Sequence, residues 1–461
     1  MGNGDARPTV AIWGHYHGHN LGDDIVVAAI AQNLRDRVVD MDLVGISLDP
    51  ADTRRRHGIP ALPLRWTAEK VASTDAIAVV ADSLKARHRR LLAFAPARLA
   101  GHAVRRGIEV ARLIAHEPGF LLRSWRRLAA VDLIVVAGSG PVSDDWEGPW
   151  SHPYTILKWS LLARLSGIPF AFLAVGAGPI DHALSRVFLA LSLRLAALIS
   201  VRDEHSAGVI RSMGIARPVP VMPDLAFSVE VPRLPERTQG DDLVIGLGPI
   251  PYLDGRYWST SDDQRYRSYI SKIASFAEQA LAGGHRLVLL YSQTLADPLV
   301  CDDVMAVLAA RGCATEGAVE RPKIFSIDDL FDAITRCDYV VAGRFHCILL
   351  PFLTGRPAVG IAYHPKTVAL MEYLGQNQYC VDVDAFDAEQ LVRACDALES
   401  EREEAVGRAV ELLPDLQAQL SGQFDVLADL LDTSRLRSQL PAHPVSHRLT
   451  SSRNASAEGR G

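Results

Sequence analysis

The chain has 461 residues, of which 48% are apolar and 22% charged, and its formal net charge is −6. These values are typical of a soluble globular protein of two or three domains with an ample core. The negative balance excludes a globally basic protein, and no nucleic-acid partner is expected.

The first half of the chain alternates apolar strands with helices. Short strands at Val10–Trp13 and Leu133–Ala137 read as strands buried in a parallel sheet, and each runs into a glycine-rich turn. Glycines in such turns let backbone amides approach an anion, and the following helix N-terminus adds positive potential. The candidate substrate-binding residues of these turns are Asn20, Gly22, Asp23, Gly138 and Gly140. The alternative is an ordinary pair of turns, with Asn20 and Asp23 as helix caps.

The segment between these two strands is unusual for its charge. From Lys85 to Arg127 the chain carries eleven Lys and Arg residues against two Glu. Two interpretations stay open: an amphipathic surface that contacts anionic lipid, or a solvated helical insertion. The alternating His15, His17 and His19 are interpreted as a solvated loop, so no metal is expected.

A further strand, Ile199–Val201, ends in Arg202. Because ligands of open α/β sheets bind at the carboxyl ends of strands, Arg202 is expected in the same crevice as the glycine turns. The alternative is a structural pair between Arg202 and Asp203. The stretch 231–242 is polar and proline-bearing, which favours a linker.

The strongest functional pattern lies in the second half. Strands at Tyr339–Ala342 and Ala358–Ile361 each end in cationic or proton-transferring side chains. Guanidinium and ammonium groups suit phosphate or carboxylate, and imidazole exchanges a proton near neutral pH. The alternative makes Arg344 a structural ion pair and His346 a satisfied core histidine. The residues predicted to form an anionic-substrate site here are Arg344, His346, Tyr363 and Lys366.

The predicted fold class is α/β, with two Rossmann-like doubly wound domains facing a cleft. The N-terminal domain is expected over 1–235, with a helical basic insertion at about 66–128, and the C-terminal domain over 236–432. Residues 433–461 are polar and lack apolar periodicity, which predicts a disordered tail. The six cysteines lie in the second half without regular spacing, which favours free thiols and a reducing compartment. The N-terminus has no signal-peptide or myristoylation pattern, so a cytoplasmic protein is expected.

Six segments in order resemble the polysaccharide pyruvyl transferase family. They are GHNLGDD (18–24), VDLIVVAGSGPVSD (131–144), GIPFAFLAVGAGPI (167–180), ISVRDEHSAGVIRSMG (199–214), MPDLAF (222–227) and CDYVVAGRFHCILLPFLTGRPAVGIAYHPK (337–366). The resemblance implies a two-domain fold like that of GT-B glycosyltransferases, with the site between the domains. It also implies transfer of a pyruvyl group from phosphoenolpyruvate, a co-substrate, to a sugar of an exopolysaccharide or cell-surface glycan precursor, forming a ketal. The chain departs from the family in reading Gly138-Ser139-Gly140 where three glycines are usual, and nothing matches in 50–130.

The roles expected for this chemistry follow from the side chains. His346 is the leading proton-transfer group, because imidazole can act as an acid and then as a base. Arg202 and Arg344 would clamp the carboxylate or phosphate, and Lys366 would neutralise departing phosphate. The resemblance agrees with the choice of Arg202 and His346 as catalytic residues. The candidates for sugar hydroxyls or loop positioning are Asn20, Asp23 and Asp224.

Two other functions remain open at this point. One is a nucleotide-sugar glycosyltransferase of the same two-domain shape, and the other is a non-catalytic glycan- or lipid-binding scaffold. The acceptor is either a free sugar or a lipid-linked oligosaccharide. The protein is accordingly expected to be cytoplasmic, either free or peripheral at the inner face of the membrane.

Overall fold

The structure is a computed structural model that describes residues 7–14, 19–66, 115–138, 140–145, 148–231, 243–258 and 260–439. These ranges form two six-stranded sheets, and every strand pairing within them is parallel. We refer to the part of the chain built around each sheet as the first lobe and the second lobe.

The first lobe has the strand order β3-β2-β1-β4-β5-β6. Its strands are β1 (Thr9–Trp13), β2 (Asp42–Ser47), β3 (Ala61–Pro63), β4 (Leu133–Ala137), β5 (Phe170–Val175) and β6 (Leu198–Val201). Its helices are α1 (Leu21–Arg35), α2 (Pro50–His57), α3 (helical over 115–128), α4 (His152–Ser166), α5 (Ala183–Leu195) and α6 (Glu204–Ser212). A short 3₁₀ helix, Leu225–Ser228, follows α6.

The second lobe has the order β12-β11-β10-β7-β8-β9. Its strands are β7 (Val244–Gly248), β8 (Arg286–Leu289), β9 (Val319–Glu320), β10 (Tyr339–Ala342), β11 (Ala358–Ala362) and β12 (Cys380–Asp382). Its helices are α7 (Asp263–Ala282), α8 (Asp297–Ala310), α9 (Ile327–Thr335), α10 (Phe345–Leu353), α11 (Pro365–Tyr373), α12 (Ala388–Ser400) and α13 (Arg402–Gln439).

Both sheets have one topology. Counted from the first strand of each sheet, the order is 3-2-1-4-5-6, which is the order of doubly wound dinucleotide-binding folds. Every residue of β4, β5, β7 and β11 is buried, because helices cover both faces of a parallel sheet. The predicted α/β fold with two doubly wound sheets is therefore confirmed.

The lobes contact each other through backbone and helix. The N–H of Leu21 donates to the carbonyl of Ser292 at 2.8 Å, and the N–H of Thr294 donates to the carbonyl of His19 at 2.7 Å. On another side, α13 returns from the second lobe to pack on α1 and β4. The loop after β1 is thus held directly against the loop after β8, with the carboxyl ends of both sheets at the crevice.

Some sequence expectations need correction. The predicted disordered tail is wrong for residues 433–439, because α13 continues to Gln439; no Gly or Pro falls between 423 and 440 to stop it. Residues 67–114, 232–242 and 440–461, which hold most of the insertion, the linker and the rest of the tail, lie outside the described residues.

Two further expectations concern cysteines and membranes. All six cysteines are free, and four of them are buried, which confirms the prediction of free thiols. Within the described ranges, every helix is too short or too polar to cross a bilayer.

Candidate active site

Charged and titratable side chains from both lobes gather where the carboxyl ends of the two sheets meet. The first lobe contributes residues that follow β6, and the second lobe contributes residues that follow β10 and β11. We call this group the crevice cluster; it consists of Arg202, Asp224, Arg344, His346, Tyr363 and Lys366.

Arg202 leaves the end of β6 and lies mostly buried, with 11% of its side chain exposed. Its Nη1 is 3.6 Å from Oδ2 of Asp224, and its Nε is 3.6 Å from Oδ2 of Asp203. Both distances exceed a normal hydrogen bond, and Nε has no hydrogen-bond partner among the described residues. The guanidinium lies 5.5 Å from the centroid of the Phe345 ring, which belongs to the other lobe. The Nε–H group of Arg202 can therefore donate a hydrogen bond to a ligand, in a crevice that is largely shielded from water.

A glycine makes room for this guanidinium. A Cβ atom built on Gly176, directly after β5, would lie 3.0 Å from Nη2 of Arg202. Such a contact is shorter than a Cβ atom normally makes. A residue with a side chain at position 176 would therefore push the guanidinium of Arg202 out of its place.

Asp224 connects the two lobes within the cluster. Its Oδ1 accepts a hydrogen bond from the N–H of Ala226 at 3.0 Å and so caps the 3₁₀ helix. The same carboxylate lies near Arg202, as given above, and its Oδ1 is 4.0 Å from Nε2 of His346. The carboxylate of Asp224 is thus placed between a guanidinium from its own lobe and an imidazole from the other.

His346 lies in the first turn of α10 with its side chain 9% exposed. Its Nε2 is buried and has no hydrogen-bond partner among the described residues. Burial lowers the pKa of His346 to about 4, assisted by the charges of Lys366 and Arg202 and opposed by Asp224. The imidazole is therefore neutral at pH 7 and is able to accept a proton.

The imidazole is also in contact with the first lobe through a glycine. A Cβ atom built on Gly22 would lie 2.1 Å from Nδ1 of His346. Glycine is therefore required there for steric reasons, and this role differs from the approach to an anion that the sequence suggested.

Lys366 and Tyr363 follow β11 and are half-buried, with Nζ of Lys366 5.9 Å from the centroid of the Tyr363 ring. Burial lowers the pKa of Lys366, and the nearby Arg202 and Arg344 lower it further, while Tyr363 opposes the shift. Burial alone would raise the pKa of Tyr363, but the charges of Lys366 and Arg344 outweigh it, so the net shift is downward. The contributions of Arg202, Arg344 and Lys366 to these shifts reflect the close approach of three cations in the crevice.

His364 is a member of this region that the sequence reasoning did not select. His364 is exposed at the rim of the crevice, and partial desolvation of its ring together with the charges of Lys366, Arg202 and His205 lowers its pKa to about 4. Its Nδ1 accepts from the N–H of Lys366 at 3.2 Å, which caps α11. Its position between Tyr363 and Lys366 was the signal available in the sequence.

Arg344 differs from the other cations because it already has a carboxylate partner. Its Nη2 donates to Oδ1 of Asp297 at 2.6 Å, and its Nε lies 3.1 Å from both carboxylate oxygens. Asp297 is fully buried, so the pair is a structural one, as in the alternative interpretation of the sequence. The guanidinium also lies 5.4 Å from the centroid of the Tyr257 ring. Asp297 was missed because it reads as an acidic residue of an ordinary helix start.

The glycine turns of the first lobe lie at the same sheet edge. Oδ1 of Asn20 accepts from the N–H of Gly22 at 3.1 Å, and its Nδ2 donates to Oδ2 of Asp23 at 3.1 Å, so Asn20 caps α1. Gly138 and Gly140 have backbone φ angles of +90° and +101°, which residues other than glycine rarely adopt. Among these turn residues, Gly22 lies against a member of the crevice cluster, the imidazole of His346.

The histidine-rich loop does not assemble a metal site among the residues that the structure describes. His15 and His17 lie outside those residues, and Nδ1 of His19 is 3.3 Å from Oγ1 of Thr294. Within the described ranges no group of three or more His, Cys, Asp or Glu side chains is arranged to hold a metal ion.

Solved structures similar to this one share its two-lobed fold at low sequence identity. UDP-GlcNAc 2-epimerase from Neisseria meningitidis, bound to UDP-GlcNAc, aligns with a TM-score of 0.54 and 12% identity over 92% of this chain and 100% of that chain. A glycosyltransferase from Rickettsia africae aligns with a TM-score of 0.51 and 8% identity over 94% and 98% of the respective chains. Anabaena HepE in complex with UDP aligns with a TM-score of 0.50 and 13% identity over 94% and 100%. The fold is GT-B-like.

No curated protein matches the sequence. The family comparison is decisive, however, because residues 20–365 match the polysaccharide pyruvyl transferase family. That range contains every member of the crevice cluster except Lys366, which is the next residue along the chain. On this match, the chain belongs to the polysaccharide pyruvyl transferase family.

Proposed function

We propose that the protein transfers the pyruvyl group of phosphoenolpyruvate to two hydroxyls of a sugar in an exopolysaccharide or cell-surface glycan precursor, forming a ketal. Family membership supports the transferase class. The observation that carries the specific proposal is the meeting of Arg202 from the first lobe with His346 and Lys366 from the second.

The charge of the crevice suits phosphoenolpyruvate, which carries a carboxylate and a phosphate. Arg344 and Asp297 largely cancel each other, so Arg202 and Lys366 provide the positive charge and Asp224 opposes it. Arg202 suits a two-oxygen contact with carboxylate or phosphate, while Lys366 provides a compact charge for the phosphate. Arg344 is then a positioning residue that supports Tyr363 and Asp297.

The proposed reaction has a simple atom balance. The methylene carbon of phosphoenolpyruvate gains a proton, and the neighbouring carbon becomes electrophilic. Two sugar hydroxyls each form a C–O bond to that carbon and lose a proton, while the C–O bond to phosphate breaks. One of the two hydroxyl protons makes up for the proton gained by the methylene carbon, and the other ends on the phosphate that is released.

His346 fits the role of proton carrier in this sequence. The free imidazole is neutral at pH 7, because its pKa is lowered to about 4 by burial and the neighbouring cations. A bound anion offsets the charges of Lys366 and Arg202, which raises the pKa of the imidazole and allows it to hold a proton. The same group can therefore take a proton from a hydroxyl and return one to carbon.

We further propose that the sugar acceptor binds at the glycine-rich turns that follow β1 and β4 in the first lobe. Asn20 and Asp23 are half-buried at the start of α1, beside Gly22 and therefore beside His346. Their oxygen and nitrogen atoms are suited to sugar hydroxyls, and Gly138 and Gly140 have no side chain that would keep a sugar ring away from the backbone.

The test mixes the protein with phosphoenolpyruvate and a panel of hexosides, and follows inorganic phosphate together with the mass gain of the sugar. We expect phosphate release to depend on the acceptor and to match ketal formation in amount. His346→Gln is expected to lower turnover by roughly 10²–10⁴-fold, whereas His285→Gln, in the turn before β8, leaves it unchanged.

The rival functions give different results in the same assay. Release of a nucleotide from a nucleotide sugar, with no phosphate from phosphoenolpyruvate, would assign a glycosyltransferase instead. Binding of phosphoenolpyruvate without consumption across the whole panel would assign a non-catalytic scaffold.

A further inference from the structure

The first lobe exposes, on neighbouring helices, large apolar side chains that are not part of the crevice cluster. The most exposed are Leu165 at 75% and Trp150 at 59%. We call this surface the apolar–basic face; its apolar members are Leu122 and Trp125 on α3, Trp150 before α4, Leu161 and Leu165 on α4, and Leu184, Val187 and Leu191 on α5.

The apolar members follow a helical pattern on α5. Leu184, Val187, Phe188 and Leu191 are spaced i, i+3, i+4 and i+7 and lie on the outward side of the helix. The opposite side of α5 is also mainly apolar and is buried in the lobe. An outward helix face in a globular protein is normally polar, so packing of this lobe does not explain why Leu184, Val187 and Leu191 are apolar and exposed.

Contacts between side chains join α3, α4 and α5 into one surface. The Trp150 ring lies 5.6 Å from that of Tyr154 and 5.7 Å from that of Phe188, measured between centroids. Beneath them, Nζ of Lys158 is 3.0 Å from Oε1 of Glu117, which ties α4 to α3. The exposed apolar side chains therefore lie on helices that contact one another.

The charges on the same three helices are of one sign. The only acidic residue in 115–128, 152–166 and 183–195 is Glu117, which is buried and paired with Lys158. None of the remaining basic residues of these helices has an ion-pair partner within the described ranges, although Arg186 donates to Oγ of Ser212 at 2.9 Å. These residues are Arg123, Arg126, Arg127, Arg164, Arg186 and Arg194.

Leucine and tryptophan side chains combined with unpaired arginines are suited to the interface of an anionic bilayer. The apolar groups enter the boundary between headgroups and acyl chains, tryptophan favours that depth, and arginine binds lipid phosphate. A second copy of the chain fits less well, because a two-fold contact would bring these arginines against their own equivalents. We propose that the apolar–basic face docks the first lobe on the surface of a membrane that contains anionic lipid.

The proposal differs from the lipid contact considered for Lys85–Arg127, because its main surface is on α4 and α5. It does not rest on the proposed function, since lipid binding is measured without substrate. If the docking proposal and the proposed function are both correct, docking brings the crevice close to acceptors that are attached to lipid.

The experiment is flotation of the full chain with phosphatidylcholine vesicles, with or without phosphatidylglycerol. We expect binding to the anionic vesicles that weakens steeply as salt is raised. The triple variant Arg164→Gln, Arg186→Gln and Arg194→Gln is expected to lower the partition coefficient about 100-fold. Val187→Gln with Leu191→Gln is expected to lower it at least about 10-fold.

The matched control is Val410→Gln with Val426→Gln, which changes two exposed valines of α13, at 61% and 52% exposure, and leaves binding unchanged. Circular dichroism and Tm establish that each variant is folded, and the arginine variant tests the face without altering its apolar groups. Tryptophan emission is a second readout: vesicles shift it to the blue, and the shift shrinks in Trp150→Phe.

Several results would overturn the proposal. One is equal, weak binding of the unmodified chain to neutral and anionic vesicles. Another is an unmodified chain that sediments as a dimer and becomes a monomer when Val187 and Leu191 are changed, since the face would then be an interface between copies. Phosphate release with a water-soluble acceptor is expected to be the same in all docking variants, so failure here is distinct from failure of the proposed function.

Discussion

The imidazole of His346 lies directly against the backbone of Gly22, although the two residues are carried by different lobes. No side chain fits between them, since a Cβ atom on Gly22 would lie 2.1 Å from Nδ1 of His346. This contact fixes the imidazole relative to the start of α1, and it makes the geometry of the site depend on closure of the lobes.

Gly22→Ala is therefore expected to displace His346 and to lower kcat about 100-fold, because small misplacements of a proton-transferring group are costly. The loss of unfolding free energy should stay within about 1–3 kcal/mol, as for a local overpacking. Gly208→Ala on α6, where an added Cβ meets nothing within 4 Å, is the matched control and should keep full activity. Equal kcat values for the two variants would contradict a positional role for Gly22.

Asp224→Asn is expected to separate binding from turnover. The substitution removes a negative charge between Arg202 and His346, so phosphoenolpyruvate should bind more tightly while kcat falls. The amide oxygen can still accept from the N–H of Ala226, so the fold is preserved. Isothermal titration gives Kd and phosphate release gives kcat.

Asp387→Asn, at the N-cap of α12, is the control for loss of one capping carboxylate. It is expected to leave both Kd and kcat unchanged. An Asp224→Asn protein that binds phosphoenolpyruvate more weakly than the unmodified chain would show that the carboxylate organises the anion site instead of opposing it.

Proton uptake should accompany binding of phosphoenolpyruvate. The pKa values of His346 and His364 are lowered to about 4, chiefly by burial and further by Lys366 and Arg202, so both are neutral in the free protein at pH 7. The negative ligand raises these values, so the complex holds more protons than the free protein. By linkage, this contribution strengthens binding as pH falls through the bound-state pKa toward the free-state pKa of about 4, and it is absent well above the bound-state pKa.

Titration in buffers of different ionisation enthalpy measures this uptake directly. His346→Gln should remove part of it, and comparison with that variant subtracts the protonation of the ligand itself. Identical uptake in the two proteins would place the proton on another group.

The pair of Arg344 and Asp297 should control stability more than binding. Arg344→Met leaves the fully buried Asp297 without its guanidinium, which is expected to cost about 3–5 kcal/mol of unfolding free energy. Arg344→Met combined with Asp297→Leu should recover much of that loss, because no isolated charge remains. Urea denaturation checks both values. If the single variant kept its stability and lost only affinity for phosphoenolpyruvate, Arg344 would be an anion clamp after all.

Much of this arrangement was predictable because it depends on local patterns. Continuous apolar strands gave the parallel sheets, and side chains that follow strand ends were expected at one crevice; Arg202, His346 and Lys366 were found from that rule alone. The relation between Arg344 and Asp297 was not predictable, because 47 residues separate them and each looks ordinary in its own segment.

The contact between lobes was hidden from the sequence for the same reason. Nothing in the loop at His19 indicates that its backbone will bond to Thr294, nor that Gly22 will pack against an imidazole. The outward apolar stripe of α5 was likewise unrecognised, since apolar spacing in a sequence cannot distinguish a buried face from an exposed one.

The division of the cluster between lobes has a further consequence. Parting the lobes would carry His346 away from Asp224 and Gly22 and would leave Arg202 alone with its own carboxylates. An open molecule could thus capture or release ligands but would lack an assembled proton carrier. Under the proposed function, phosphoenolpyruvate held by such a molecule would be spared wasteful hydrolysis by water until the acceptor is enclosed with it.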